Sequence, residues 1–176
     1  MANMKSEFKT NILNKNEIQY LQEWTDDSFR IKSDMWDEKE TEATKTLFSL
    51  FDKYSSNVKS GTKLYRGMNI PNSLFYGMGY HQLEKGDNYT PDTLAISSFS
   101  LSKLISFEYA MDGEYKNNVI IRVLSSDENA INITGVSTVS KEEETILTKN
   151  VWYNIAHIKR FEEGGNTWTL IMLIKK

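Results

Sequence analysis

The stretch Asn118-Val119-Ile120-Ile121-Arg122-Val123-Leu124 indicates that this chain is built around a β-sheet. Four of its seven residues are β-branched, and only Asn118 and Arg122 are polar. Such a run is typical of a strand at the centre of a sheet, where both faces are buried. We therefore predict a central strand over residues 118–124.

Segments on both sides of this strand predict the rest of a mostly antiparallel sheet system. Glu162-Glu163-Gly164-Gly165-Asn166 is a strong hairpin turn signal, so the segments before and after it should pair. Ser102 or its neighbours can cap an inserted helix that runs through Met111. The other strands are predicted over residues 63–68, 94–100, 130–133, 145–147, 151–161 and 167–174.

The first third of the chain predicts helices. Asn14 or Asn16 can cap a first helix, and a longer helix is predicted from Ser33 to Tyr54. Helices followed by such a sheet system form an α+β fold. We predict one domain over residues 1–176, with a helical part at 1–60 and a sheet core at 61–176. The apolar face of the first helix holds Ile18, Leu21 and Trp24.

The composition narrows the possible chemistry. The net charge is −3, which argues against a protein that binds nucleic acids in general. There is no cysteine, so disulfides and thiolate catalysis are excluded. The two histidines, His81 and His157, lie far apart in the sequence, and we expect no metal site.

The sequence also carries no sign of a membrane. Residues 1–10 lack the apolar region of a signal peptide, and no apolar run is long enough to span a bilayer. We therefore expect a protein that acts in the cytoplasm without a membrane partner.

Leu64-Tyr65-Arg66-Gly67 places an arginine in an otherwise apolar strand. A guanidinium is permanently charged and forks onto phosphate oxygens. A glycine after it lets a flat ligand approach the backbone closely. An arginine in a surface ion pair is the alternative interpretation of this pattern.

Ser98-Phe99-Ser100 alternates two hydroxyls around one aromatic side chain. In a strand both hydroxyls share one face and Phe99 points to the other, toward the core. A hydroxyl placed in this way can orient a carboxylate or a ribose. The alternative is a polar strand end before a helix cap.

Glu142-Glu143-Glu144 leads directly into a predicted strand. In extended conformation Glu142 and Glu144 share a face, and Glu143 points away. Two carboxylates so close repel each other, which raises one pKa and allows the pair to divide acid and base roles. The alternative is a solvated acidic turn.

Read in order, these three motifs resemble the mono-ADP-ribosyltransferases, in the arginine-specific branch with an arginine, a serine strand and an E-x-E motif. Ser98 through Ala110 resembles the family's passage from the serine strand into a helix. Glu144-Thr145-Ile146-Leu147 resembles the family's catalytic glutamate and its apolar strand. The resemblance covers about residues 62–150 and is greatest to the Mod-type enzymes of T-even phages.

The resemblance implies an ADP-ribosyltransferase-like fold, with two small sheets that form a cleft for NAD as co-substrate. Arg66 would hold the NAD phosphates, and Gly67 would meet the nicotinamide amide. Ser98 would position Glu144, and Glu144 would bind the 2′-hydroxyl of the nicotinamide ribose. Ser100 is expected among the residues that contact NAD.

The same resemblance implies the acceptor. Glu142 stands where the family places the residue that faces the acceptor, and a glutamate there accompanies transfer to arginine. The expected partner is a protein with an exposed arginine, from a host cell if the phage comparison holds. Phe99 replaces the family's usual threonine, and the loop at 136–141 lacks the aromatic residue with which many relatives hold the acceptor.

Two other functions fit the same residues. An NAD glycohydrolase would use this scaffold with water as the acceptor. A non-enzymatic module that binds a partner protein would carry these motifs without binding NAD.

Overall fold

A computed structural model describes residues 13–54, 58–92, 94–124, 130–133, 145–148 and 152–175, with the backbone alone at 145–148. The chain divides into two compact units. The first unit is Met1–Thr62, Pro91–Phe99 and Ser125–Val151, and the second unit is Lys63–Thr90, Ser100–Leu124 and Trp152–Lys176.

The first unit begins with three helices, α1 (Lys15–Asp26), α2 (Ser28–Trp36) and α3 (Glu42–Lys53). Asn14 caps α1 through a reciprocal pair of hydrogen bonds with Glu17, so the first of the two predicted caps is confirmed. The helices bury one shared apolar core with the segment before the serine strand. Its buried members are Leu13, Leu21, Trp24, Ile31, Met35, Leu47, Leu50, Ala95, Ile96, Ile131 and Ile133.

The prediction of one helix from Ser33 to Tyr54 is wrong, because α2 ends at Trp36 and α3 begins at Glu42. Every residue from 37 to 42 is polar, so this stretch offers no apolar side chain to keep a helical turn on the core. Glu38 adopts a left-handed backbone with φ of 57°. Thr41 then starts α3 with a reciprocal cap to Thr44.

Three short strands belong to the first unit, wholly or in part: β3 (Ser97–Ser100), β5 (Ala130–Asn132) and β6 (Thr145–Thr148). β5 pairs antiparallel with β6. β3 starts three residues later than predicted, because the amides of Leu94 and Ala95 donate to Asp92 Oδ1 at 2.9 Å and are not available to a strand partner.

The second unit holds a ladder of five strands: β1 (Lys63–Ile70), β2 (Asn88–Tyr89), β4 (Asn117–Leu124), β7 (Tyr153–Glu163) and β8 (Asn166–Lys175). Their order in the ladder is β2-β7-β8-β4-β1. The pairing of β4 with β8 is parallel and the other pairings in this ladder are antiparallel, as predicted for a mostly antiparallel system. The Ser100 end of β3 joins it opposite Tyr65.

The predicted central strand is confirmed. β4 lies between β1 and β8, and Val119, Ile121 and Val123 are fully buried. The α+β fold class is confirmed as well. Two short helices escaped sequence analysis, α4 (Asn72–Gly77) and a 3₁₀ helix at Tyr80–Gln82.

Helix α5 (Lys103–Met111) packs on one face of this ladder, directly over Gly67. A Cβ on Gly67 would overlap the carbonyl oxygen of Ser106 and lie 2.6 Å from its carbon. At the other end of α5, the Asn69 side-chain amide donates to the carbonyls of Ala110 at 3.1 Å and Tyr115 at 2.8 Å. The glycine therefore sets how closely α5 approaches β1.

Glu17 is the centre of a buried polar network in the first unit. Its carboxylate accepts hydrogen bonds from Tyr54 Oη at 2.7 Å, from Lys53 Nζ at 2.9 Å and from the backbone amide of Asn14 at 2.9 Å. Burial raises the pKa of the Glu17 carboxyl, but these hydrogen bonds outweigh it, and the pKa lies below its ordinary value. The network therefore ties α1 to the end of α3 through an ionised carboxylate.

We expect Gly67→Ala to destabilise the protein severely, because its methyl group would have to displace the backbone of α5. Gly77→Ala is the matched control, since an added Cβ there meets nothing within 4 Å and Gly77 lies in α4. The control should be neutral or gain up to about 1 kcal/mol. Thermal unfolding of both variants checks this, and equal melting temperatures would contradict the role of Gly67.

We expect Glu17→Gln to lower the free energy of unfolding at pH 7 by about 1–3 kcal/mol, because Lys53 loses its charged partner and the carboxylate hydrogen bonds weaken. Because the folded pKa of Glu17 is lowered, its contribution is present at neutral pH and lost as the pH falls through that pKa. Urea unfolding at pH 7 and pH 3 measures both effects.

The difference between wild type and Glu17→Gln should therefore shrink at pH 3. Glu23→Gln, which breaks a surface ion pair with Arg30, serves as the control and should cost less than about 1 kcal/mol. A Glu17→Gln deficit that is the same at both pH values would show that ionisation of Glu17 does not stabilise the fold.

Candidate functional site

Arg66 lies in the middle of β1, opposite Ile121 of β4. Because side chains alternate along a strand and Gly67 faces α5, Arg66 projects from the other face of the ladder. The residue is half-buried. The second unit therefore presents a guanidinium on the sheet face that α5 leaves uncovered.

The second unit also holds an aromatic group formed by Phe75, Tyr80 and Tyr89. The rings of Phe75 and Tyr80 are stacked with centroids 6.2 Å apart, and the hydroxyls of Tyr80 and Tyr89 are 2.7 Å apart. Burial raises the pKa of the Tyr80 phenol, against smaller opposing effects of the Tyr89 hydrogen bond and the positive charge of Arg66. The charge of Arg66 therefore acts on the Tyr80 phenol, although burial of the phenol has the larger effect on its pKa.

Arg160 fastens the segment that carries these rings. Its Nη2 donates to the carbonyl of Tyr80 at 2.8 Å and to that of Leu83 at 2.7 Å. Neither this contact nor the aromatic group was predicted from the sequence. The apolar residues of the segment from 72 to 89 show no helical periodicity over a sufficient length to predict a helix. Its four aromatic residues within fifteen positions could, however, have indicated that the segment packs on the protein.

Gly67 has a structural role that the sequence did not reveal. The missing side chain makes room for the backbone of α5 on the face away from Arg66. Its expected contact with nicotinamide stays a prediction.

Ser98 and Ser100 have different surroundings. Ser98 belongs to the first unit, and its Oγ accepts a hydrogen bond from Trp24 Nε1 at 2.9 Å. Ser100 belongs to the second unit, where its Oγ accepts from the Ser102 amide at 2.9 Å in the turn before α5. Phe99 between them is 4% exposed, as strand alternation predicts.

The contact between Trp24 and Ser98 was also missed. The Trp24 side chain was assigned to the apolar face of its helix, and it does lie in the core of the first unit at 2% exposure. A buried indole N–H nevertheless needs an acceptor. That requirement could have signalled a polar partner, but it could not have identified Ser98, 74 positions away.

Glu142 and Glu144, with Glu143 between them, lie outside the described residues. The structure does describe the backbone of the strand that follows, since β6 begins at Thr145. Within the first unit, β6 is the neighbour of β3, the strand that carries Ser98. The predicted roles of these glutamates stay predictions.

The described part of the chain contains no group of three or more histidine, aspartate or glutamate side chains placed to hold a metal ion. Among the same residues, no helix combines the length and apolar character needed to cross a bilayer.

Searches of protein-family models and of curated proteins found no match to the sequence. Solved structures do match. Vis, an ADP-ribosyltransferase from Vibrio splendidus, aligns with a TM-score of 0.64 at 19% identity, over 94% of this chain and 76% of that chain. An ADP-ribosyltransferase from Clostridium botulinum aligns with a TM-score of 0.63 at 16% identity, over 93% of this chain and 88% of that chain.

Exoenzyme S from Pseudomonas aeruginosa, solved with a human 14-3-3 protein and carba-NAD, aligns with a TM-score of 0.64 at 16% identity, over 92% of this chain and 74% of that chain. Vis has also been solved in complex with agmatine. This chain therefore has the ADP-ribosyltransferase fold, which confirms the fold predicted from the sequence.

Proposed function

We propose that this protein is a mono-ADP-ribosyltransferase that transfers ADP-ribose from NAD to arginine side chains of proteins and releases nicotinamide. One observation supports the proposal: in a chain with the ADP-ribosyltransferase fold, two of the three sequence motifs lie on described strands, and the third comes directly before the residue at which another strand begins. Arg66 lies within β1, Ser98 lies within β3, and Glu144 immediately precedes β6.

The surroundings of Arg66 fit a dinucleotide. A half-buried guanidinium can hold a pyrophosphate through two parallel, charge-assisted hydrogen bonds, and it is better suited to this than an ammonium group. In the proposed function Arg66 anchors NAD by its phosphates, so that the ribose stays fixed while the leaving group departs.

Glu144 and Ser98 act on the ribose in this proposal. Glu144 accepts a hydrogen bond from the 2′-hydroxyl and stabilises the positive charge that develops on the sugar as the glycosidic bond breaks. Ser98 donates to Glu144 and holds its carboxylate in place. Gly67 and Ser100 complete the proposed NAD contacts. Nicotinamide leaves as a neutral molecule, so no residue has to protonate it.

Glu142 serves the acceptor. Its carboxylate orients the incoming guanidinium by charge-assisted hydrogen bonds and removes a proton as the new bond to the sugar forms. The complex of Vis with agmatine, a small molecule that carries a guanidinium group, supports an acceptor of this chemistry. The resemblance to phage enzymes favours a host protein as the acceptor and the host cytoplasm as the place of reaction.

We expect Glu144→Ala to lower NAD cleavage by about 100-fold or more, because the developing charge loses its carboxylate. Glu142→Gln should abolish the labelling of protein acceptors while sparing NAD hydrolysis. Both are measured with labelled NAD, by nicotinamide release and by incorporation into proteins of a cell lysate. Glu143→Gln is the matched control and should leave both readouts within twofold of wild type.

The outcomes separate the candidate functions. Protein labelling that survives Glu142→Gln would contradict the role of Glu142. Nicotinamide release without any protein labelling in the wild type would favour an NAD glycohydrolase. Calorimetry that detects no NAD binding to the wild type would leave only the partner-binding module.

We expect Arg66→Lys to raise the KM for NAD about tenfold, because a lysine keeps the charge but loses the two-pronged contact with the phosphates. Arg30→Lys makes the same change at an exposed arginine of α2 and should leave the KM unaltered. Steady-state kinetics of nicotinamide release measure both. An unchanged KM for Arg66→Lys would remove Arg66 from the phosphate site.

A further inference from the structure

We propose that Trp24 is a positioning residue for the reaction, because its N–H occupies one acceptor site of Ser98 Oγ and so restricts the directions in which the hydroxyl can donate its proton. This inference rests on the proposed function, in which Ser98 donates to the catalytic carboxylate. The Trp24 indole N–H lies 2.9 Å from Ser98 Oγ. Trp24 belongs to none of the three motifs, so this role adds a residue to the proposed site.

The chemistry of the two groups assigns the direction of this hydrogen bond. An indole nitrogen can only donate, so Ser98 Oγ must be the acceptor. A serine hydroxyl rotates freely about its C–O bond unless a partner restrains it. Once Trp24 occupies the acceptor side of Oγ, the hydroxyl proton has to point away from the indole. The hydroxyl can then donate to the catalytic carboxylate, as the proposed function requires.

Trp24 can impose this direction because its own ring is held. The side chain is 2% exposed and packs in the core of the first unit with Leu21 and Leu47. The ammonium of Lys32 lies 6.0 Å from the centre of the Trp24 ring and 5.9 Å from that of Trp36. A change of the Trp24 rotamer would break both the core packing and this cation–π contact.

A second indole holds the other end of the segment that leads into β3. Trp36 Nε1 donates to Asp92 Oδ2 at 2.9 Å, while Asp92 Oδ1 accepts from the amides of Leu94 and Ala95. The segment from Asp92 to Ser98 is therefore attached to the N-terminal helices at both ends. The helices thus fix the backbone of the serine strand, and Trp24 restrains the serine side chain.

A double-mutant cycle tests the inference. Trp24→Phe keeps an aromatic ring in the core and removes the N–H donor. We expect it to lower kcat for NAD cleavage about threefold to tenfold, the effect of one hydrogen bond of about 1 kcal/mol, with the KM for NAD unchanged within twofold. In a Ser98→Ala background the same substitution should have no further effect on kcat, because Trp24 acts through Ser98.

Trp168→Phe is the matched control. Trp168 is 7% exposed and packs against Phe107 and Phe161 in the second unit. The substitution shrinks a buried tryptophan without touching Ser98, so it should lower the melting temperature and leave kcat within twofold.

A measurement on the resting protein makes the inference independent of activity. In a ¹⁵N-labelled sample, Ser98→Ala should shift the indole N–H resonance of Trp24 and speed its exchange with solvent, and the same resonance should be missing in Trp24→Phe. This measurement also tests the inference if Trp24→Phe fails to fold. If Ser98→Ala changes neither the chemical shift nor the exchange rate of the Trp24 indole N–H, the inference is overturned.

The kinetic outcomes keep the inference and the proposed function apart. Equal losses of kcat from Trp24→Phe in both backgrounds, or no loss in either, would overturn the positioning role and leave the proposed function standing. A folded wild type that does not cleave NAD would overturn the proposed function and this inference with it.

Discussion

The contact between Gly67 and the backbone of α5 is the constraint on which the second unit depends. Because no side chain separates them, α5 lies against β1 closely enough for Asn69 to hold its far end through the carbonyl of Ala110. The position of α5 also fixes its first turn, where Ser102 caps the helix and Ser100 binds the Ser102 amide. The absence of a Cβ at residue 67 thus sets the position of α5, and through the first turn of α5 it also holds the Ser100 end of β3.

The two faces of β1 divide the work between stability and chemistry. The face that holds Gly67 is occupied by α5. The face that holds Arg66 carries the positive charge that acts on the Tyr80 phenol, and Arg160 donates a hydrogen bond to the Tyr80 carbonyl. Gly67 therefore serves the packing of α5, while its neighbour Arg66 binds the ligand in the proposed function.

Sequence reasoning located the elements that have strong local signals. The central strand β4, the Gly164-Gly165 hairpin and the Asn14 cap all depend on neighbouring residues, and all three are found. The break between α2 and α3 was missed because apolar residues resume after it at helical spacing. α4 was missed because it has only six residues and no side-chain cap.

The candidate site was predictable only in part, for a different reason. The order of the three motifs and their resemblance to one family are properties of the sequence, and they led to Arg66 and Ser98. The partners of these residues are properties of the fold. Trp24 and Ser98 are hydrogen-bonded although 74 positions separate them in the sequence. The segment that contains Tyr80 carries no recognisable motif.

The two units are interleaved along the chain, and this has a consequence for biosynthesis. Each unit is assembled from three separate segments, so neither unit is a single continuous stretch of the chain. β4 pairs with β8 in parallel, which leaves one edge of this apolar strand uncovered until residues 166–175 have emerged from the ribosome. Until then the central strand of the second unit lacks one of its two partners, so this unit cannot complete its sheet.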